Sequence, residues 1–249
     1  MNGAALAELL RDPSEIARRC REDDGVREIA VVSLIAITVG SLAFGGVLGS
    51  FRAETQILWS GIKLPLAMLG TLALCVPALH GVACALGRPR PMRATATLVL
   101  AATARAALVL LAASPVLWLA IDSGLGYHAS ALLAAIVYGL SGLAALGIVL
   151  RGLGAGPGWL TTAVAFVAIF LAVGGQVAWN FRPFLGRPSQ SSIPFVRAPE
   201  GSFADALVTS AQSAAGIYRH SDLSDSDVDD DAWDTERSRA TDPYGRRAP

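Results

Sequence analysis

The sequence predicts an all-α membrane protein: a bundle of five transmembrane helices with short N-terminal helices, an ordered Pro/Phe strap and a disordered acidic C-terminal tail. Three observations lead there. Apolar stretches at residues 29–50, 62–86, 94–121, 127–150 and 157–180 hold 22 to 28 residues each. A helix rises about 1.5 Å per residue, so about 20 residues cross a ~30 Å hydrocarbon core. No water reaches backbone amides there, which leaves helix as the form for these runs. Secondly, 53% of the chain is hydrophobic, while its charges are confined almost entirely to ends and loops. A soluble domain intersperses charge along every element. Thirdly, residues 222–236 carry eight acids and no base, the block pattern of a solvated tail.

Ahead of the first span, residues 1–28 form a helical segment, expected in the cytoplasm. Ala4–Leu10 and Pro13–Cys20 read as two short helices. Asp12 caps the second, with Pro13 at its first position and Glu15 in the favourable first turn. Ile16, Ala17 and Cys20 give it a thin apolar face beside Arg18, Arg19 and Arg21. The expectation is a solvated helical stub, with attachment to an anionic membrane surface as the alternative. No cleavable leader is read here, because the first apolar run begins only at Ile29 and is too long for one.

Within residues 29–180, Lys63-Leu64-Pro65 is read as opening the second span, and Pro157 as occupying the first turn of the fifth. Ser41, Gly45 and Gly49 make a small-residue ridge on the first span, suited to close helix contact within the chain or to a homodimer. Gly174 and Gly175 offer the same on the fifth. Residues 181–218 carry four prolines interleaved with Phe181, Phe184 and Phe195, read as an extracytoplasmic strap followed by a short amphipathic helix from Ser202. Residues 219–249, rich in Ser, Asp, Arg and Pro, are read as disordered.

Arginine and lysine placement sets orientation. With the N-terminus inside, the inner side carries Arg11, Arg18, Arg19, Arg21, Arg27, Arg88, Arg90, Arg93 and Arg151. The outer side carries Arg52, Lys63, Arg182, Arg187 and Arg197. Nine against five puts the N-terminus in the cytoplasm, and an odd number of spans puts the C-terminus outside.

The candidate chemistry is sparse. Arg105 lies eleven residues into the third span, where a charge marks a solute path or else slides toward the membrane surface. At the outer end, Lys63, Gln176, Asn180 and Arg182 form a candidate polar network or ligand site, with Lys63 reaching for headgroups and Trp179 anchoring the interface. Gly139-Leu140-Ser141-Gly142 matches the GxSG pattern of rhomboid-type proteases, but the fifth span has no histidine to act as base, so small-residue packing is the expectation. Gly152-Leu153-Gly154-Ala155-Gly156-Pro157-Gly158 follows a membrane helix and lacks the Lys-Ser/Thr of a phosphate loop; it reads as a turn. Asp225, Asp227, Asp229, Asp231 and Glu236 mimic calcium-loop spacing, but Asp230 stands where that loop requires glycine. Cys75 and Cys84 are nine residues apart on one helix, about 13 Å of rise, too far to bridge. No disulfide, metal, cofactor or catalytic residue is expected.

From Leu58 to Leu207 the chain resembles a group of bacterial multi-pass membrane proteins of about 200–250 residues without an established activity. The residues that carry it are Gly61-Ile62-Lys63-Leu64-Pro65, Cys75-Val76-Pro77-Ala78-Leu79, Gln176-Val177-Ala178-Trp179-Asn180-Phe181-Arg182-Pro183-Phe184-Leu185-Gly186, Phe195 and Glu200-Gly201-Ser202-Phe203. The resemblance implies a bacterial inner-membrane location. Five spans with an inside N-terminus are also similar to the layout of Yip1-type proteins. The functional expectation is a non-enzymatic scaffold or assembly partner, with a small-solute or ion transporter using Arg105 and the outer cluster as the alternative. The partners expected are the lipid bilayer and a membrane protein or second copy through Ser41, Gly45 and Gly49; no nucleic acid is expected.

Overall fold

The computed structural model describes residues 3–51, 55–181, 184 and 195. Residues 201–249 form a separate unit that lies outside them, and with it the amphipathic helix, the acidic tail and the calcium-like spacing. Among the described residues the elements are α1 (Gly3–Arg11), α2 (Pro13–Glu22), α3 (Val26–Ser50), α4 (Thr55–Ala85), α5 (Met92–Asp122), α6 (Tyr127–Leu153) and α7 (Trp159–Asn180). Five of them, α3 to α7, are long and apolar enough to cross a membrane. The chain is a multi-pass, all-helical membrane protein.

Helix α2 begins as its sequence dictates. Asp12 Oδ1 accepts from the amides of Ser14 at 3.1 Å and Glu15 at 3.0 Å, with Pro13 in the first turn. The helix ends at Asp23, whose φ of 61° is left-handed and whose amide returns to the Arg19 carbonyl. The stub is not solvated, however. Ile16, Ala17 and Cys20 are buried, because α2 lays its apolar face on α5 and α6, and Leu9 is buried where α1 meets α2, α3 and α5. What reads as a thin stripe in isolation is sufficient once two helix ends meet it.

The centre of the bundle is α3, packed on α4 and α5; α6 lies on α5, and α7 on α4. Small residues set those approaches. A Cβ on Gly40 would stand 2.4 Å from the Ala107 carbonyl oxygen. One on Gly45 would meet the Ser60 carbonyl oxygen at 2.4 Å, and one on Gly49 that of Gln56 at 2.4 Å. The ridge of Ser41, Gly45 and Gly49 is therefore covered by α4 of the same chain, and a homodimer through it would have to displace that helix. Gly174 only reaches ordinary contact, 3.5 Å, with Thr71.

Two boundaries differ from the sequence reading. Helix α4 starts at Thr55, seven residues before Ile62, so Pro65 is inside it. Proline removes one bond, to the Gly61 carbonyl, and helices buried among neighbours tolerate that loss. Helix α7 starts at Trp159 behind Gly158, whose φ of 72° is left-handed, so Pro157 belongs to the turn. About half the residues in the most apolar windows of α3, α4 and α5 are buried, against about a fifth in α6 and α7. The outer pair presents most of its surface to the bilayer.

Candidate functional sites at the two ends of the bundle

Up-and-down connectivity gathers the polar side chains at two ends. At the end away from α1 and α2, Gln56, Ser60 and Lys63 fall at i, i+4 and i+7 on one inward face of α4 and are all buried. Gln56 Nε2 donates to Ser60 Oγ at 3.0 Å and to the Phe184 carbonyl at 3.2 Å, while Ser60 Oγ donates to that carbonyl at 2.6 Å. Lys63 does not reach outward to headgroups. It is 0% exposed, with Nζ 5.1 Å from the centroid of the Phe195 ring. Trp59 meets the same ring edge-on at 5.7 Å. The described strap residues are thus seated on α4.

Of the expected network of Lys63, Arg105, Gln176, Asn180 and Arg182, the described residues pair Gln176 with Asn180. Gln176 Nε2 donates to Asn180 Oδ1 at 3.2 Å along α7, and Arg182 lies outside the described residues. Lys63 stands 22 residues from the end of α4, and Arg105 stands 13 from the start of α5 at the same end. At about 1.5 Å per residue they are roughly 13 Å apart along the bundle. Arg105 is partly buried and makes no hydrogen bond or ion pair among the described residues. The charge whose field reaches it is Arg151, near the α2 end. Ser141 donates to the Tyr138 carbonyl of its own helix at 2.7 Å, while a Cβ on Gly139 or Gly142 would meet nothing within 4 Å, so the small-residue packing expected of this segment is not seen at its glycines among the described residues.

The α2 end holds the larger construction. Among the described arginines there, Arg18 pairs with Glu15 and Glu22, Arg19 with Glu8 and Glu28, and Arg93 with Asp23. The Arg18 bond holds the Glu15 carboxyl below its ordinary value. Among the described residues, Arg21, Arg88, Arg90 and Arg151 have only carbonyl partners. Arg21 donates to the Arg151 carbonyl at 2.5 Å. Arg88 Nη2 donates to Leu153 and Gly154, at 2.7 and 3.1 Å, and Arg90 to Gly152 and Leu153, each at 2.6 Å. Arg151 donates back to the Gly147 carbonyl at 2.8 Å. The carbonyls of Arg151–Gly154 are the open end of α6, which needs donors and carries partial negative charge.

The same four arginines, with Ser14 and Leu153–Ala155, line a recess of about 570 Å³. No carboxylate lines it. Arg88 Nη1 is buried and has no hydrogen-bond partner. Burial first, and then the charges of Arg88 and Arg21, pull Arg90 below its ordinary value. Beneath lies a mostly apolar crevice of about 20 Å³ among Leu79, Leu98, Val99 and Phe166, with Arg88 and Arg90 also on its wall. The recess was missed in the sequence because its arginines come from α2, the α4–α5 turn and α6, with no shared spacing. No protein-family model matches the chain, and neither a curated protein nor a solved structure is similar to it.

Proposed function

We propose that this chain is a non-enzymatic scaffold or assembly protein of a bacterial inner membrane, which docks an anionic partner at its arginine-lined end. The N-terminus and that end face the cytoplasm, and the C-terminus lies outside. One observation carries the reading: four arginines converge on an open recess with no carboxylate among them. A helix end accounts for their carbonyl bonds, but about half a charge at the α6 terminus does not offset four guanidinium groups. The test is binding of fluorescent poly-glutamate to the full chain in nanodiscs. Binding should weaken with salt and disappear in Arg21→Glu/Arg151→Glu. Binding that survives the reversal overturns the reading.

A transporter using Arg105 and the outer cluster is the second reading, and the observation in its favour is the ammonium of Lys63 buried within a span. The wide axial separation of Lys63 and Arg105 weighs against it. Solute flux into proteoliposomes that falls in Lys63→Met would favour transport over docking.

A further inference from the structure

We infer that the recess formed by Arg21, Arg88, Arg90 and Arg151 is a binding site for a doubly or more highly charged phosphoryl group. The inference rests on the docking reading and names the chemistry of the anion. Three features select phosphate over a lone carboxylate. The recess, about 570 Å³, is much larger than a carboxylate and can hold a diphosphate or a headgroup phosphate with its first ester substituents. Guanidinium forks present paired donors that match phosphoryl oxygens, and they are less strongly hydrated than ammonium groups. Each of the four keeps its guanidinium at the recess while donating to α6 carbonyls with part of its donor set. On Arg88 the remaining terminal nitrogen is buried without a hydrogen-bond partner, an unmet donor on an arginine that lines both the recess and the crevice beneath it.

Charge gives the valence. Four positive charges, less about one half for the end of α6, leave more than three to be balanced. A phosphomonoester supplies about 1.5 to 2 negative charges and a diphosphate more. Of the acids at this end, Glu8, Glu15, Glu22, Glu28 and Asp23 are paired with Arg18, Arg19 and Arg93. The site lies where five apolar helices end, so the phosphoryl group has two sources, a lipid headgroup or a soluble phosphate compound. The apolar crevice below is too small, at about 20 Å³, for an acyl chain, so a lipid would leave its tails in the bilayer.

The experiment uses the full chain in phosphatidylcholine nanodiscs, with ionic strength held constant by chloride. Thermal unfolding is followed against pyrophosphate and inorganic phosphate, and separately in nanodiscs containing phosphatidic acid. A ligand that binds only the folded state raises the melting temperature in a saturable way. Arg21→Gln/Arg151→Gln, which alters the two exposed arginines, should weaken the phosphoryl effect, read against the variant's own ligand-free melting temperature, at least about tenfold. Arg88→Lys, retaining charge without the fork, should weaken it as well. A response to free pyrophosphate identifies a soluble ligand, and a response to phosphatidic acid alone identifies a headgroup; either supports the inference. Saturable binding of poly-glutamate with no response to any phosphoryl probe overturns the inference and leaves the docking reading standing. No response to either class overturns both, and an undiminished phosphoryl response in the double glutamine variant overturns the site.

Discussion

Cys20 is buried where α2 meets the bundle, and desolvation pushes its thiol from 9.0 up to about 11. An unfolded chain loses that proton from about pH 9, whereas the folded one holds it to about pH 11. The stabilisation is therefore complete below pH 9 and lost as pH rises toward 11, an effect of roughly 2–3 kcal/mol. Melting temperatures measured across this window should fall more steeply for wild type than for Cys20→Ala. Parallel curves would show that the thiol is not buried. Single residues were unevenly legible in the sequence. Arg105 and Lys63 are conspicuous as charges in apolar runs, but Gln56 and Ser60 read as loop residues ahead of a span taken to begin at Ile62. Their i, i+4, i+7 relation to Lys63 was the available signal, masked by the assumption that Pro65 opens the helix.

Helices were more legible than residues, because length and apolar content set them and neither needs tertiary knowledge. Their ends were less so. Gly158 rather than Pro157 closes the last turn, and the seven residues that extend α4 are mixed in polarity because they cover a polar stripe. The contacts between α3 and α4 yield a sharp expectation. Gly45→Ala drives a methyl to 2.4 Å from the Ser60 carbonyl oxygen, where backbone must move. Overpacking of this kind costs about 1–3 kcal/mol. Gly70→Ala on α4 meets nothing within 4 Å and gains helix propensity, up to about 1 kcal/mol. Thermal unfolding in detergent should lower the first variant and leave the second unchanged or raised. Equal behaviour would remove the close approach of α3 and α4.

For the whole molecule, the arginine asymmetry predicts that α1, α2 and the α4–α5 turn are cytoplasmic and that the chain after α7 is outside. Phosphatase fused at residue 249 should be active and a fluorescent protein there dark; the opposite pattern would reverse the orientation. The five-span plan could be read from the chain, but the recess could not. Its arginines served in sequence only as topological signals, and their convergence depends on α2 folding back onto α6. That same clamp has a consequence for the order in which the molecule is built. Arg21, Arg88 and Arg90 all leave the ribosome before Gly152, Leu153 and Gly154, the carbonyls that take all four bonds from Arg88 and Arg90. Chains fold from the N-terminus as they are made. A chain halted before Gly152 thus holds three like charges around a gap, and completion of α6 is the step that first lets them settle together.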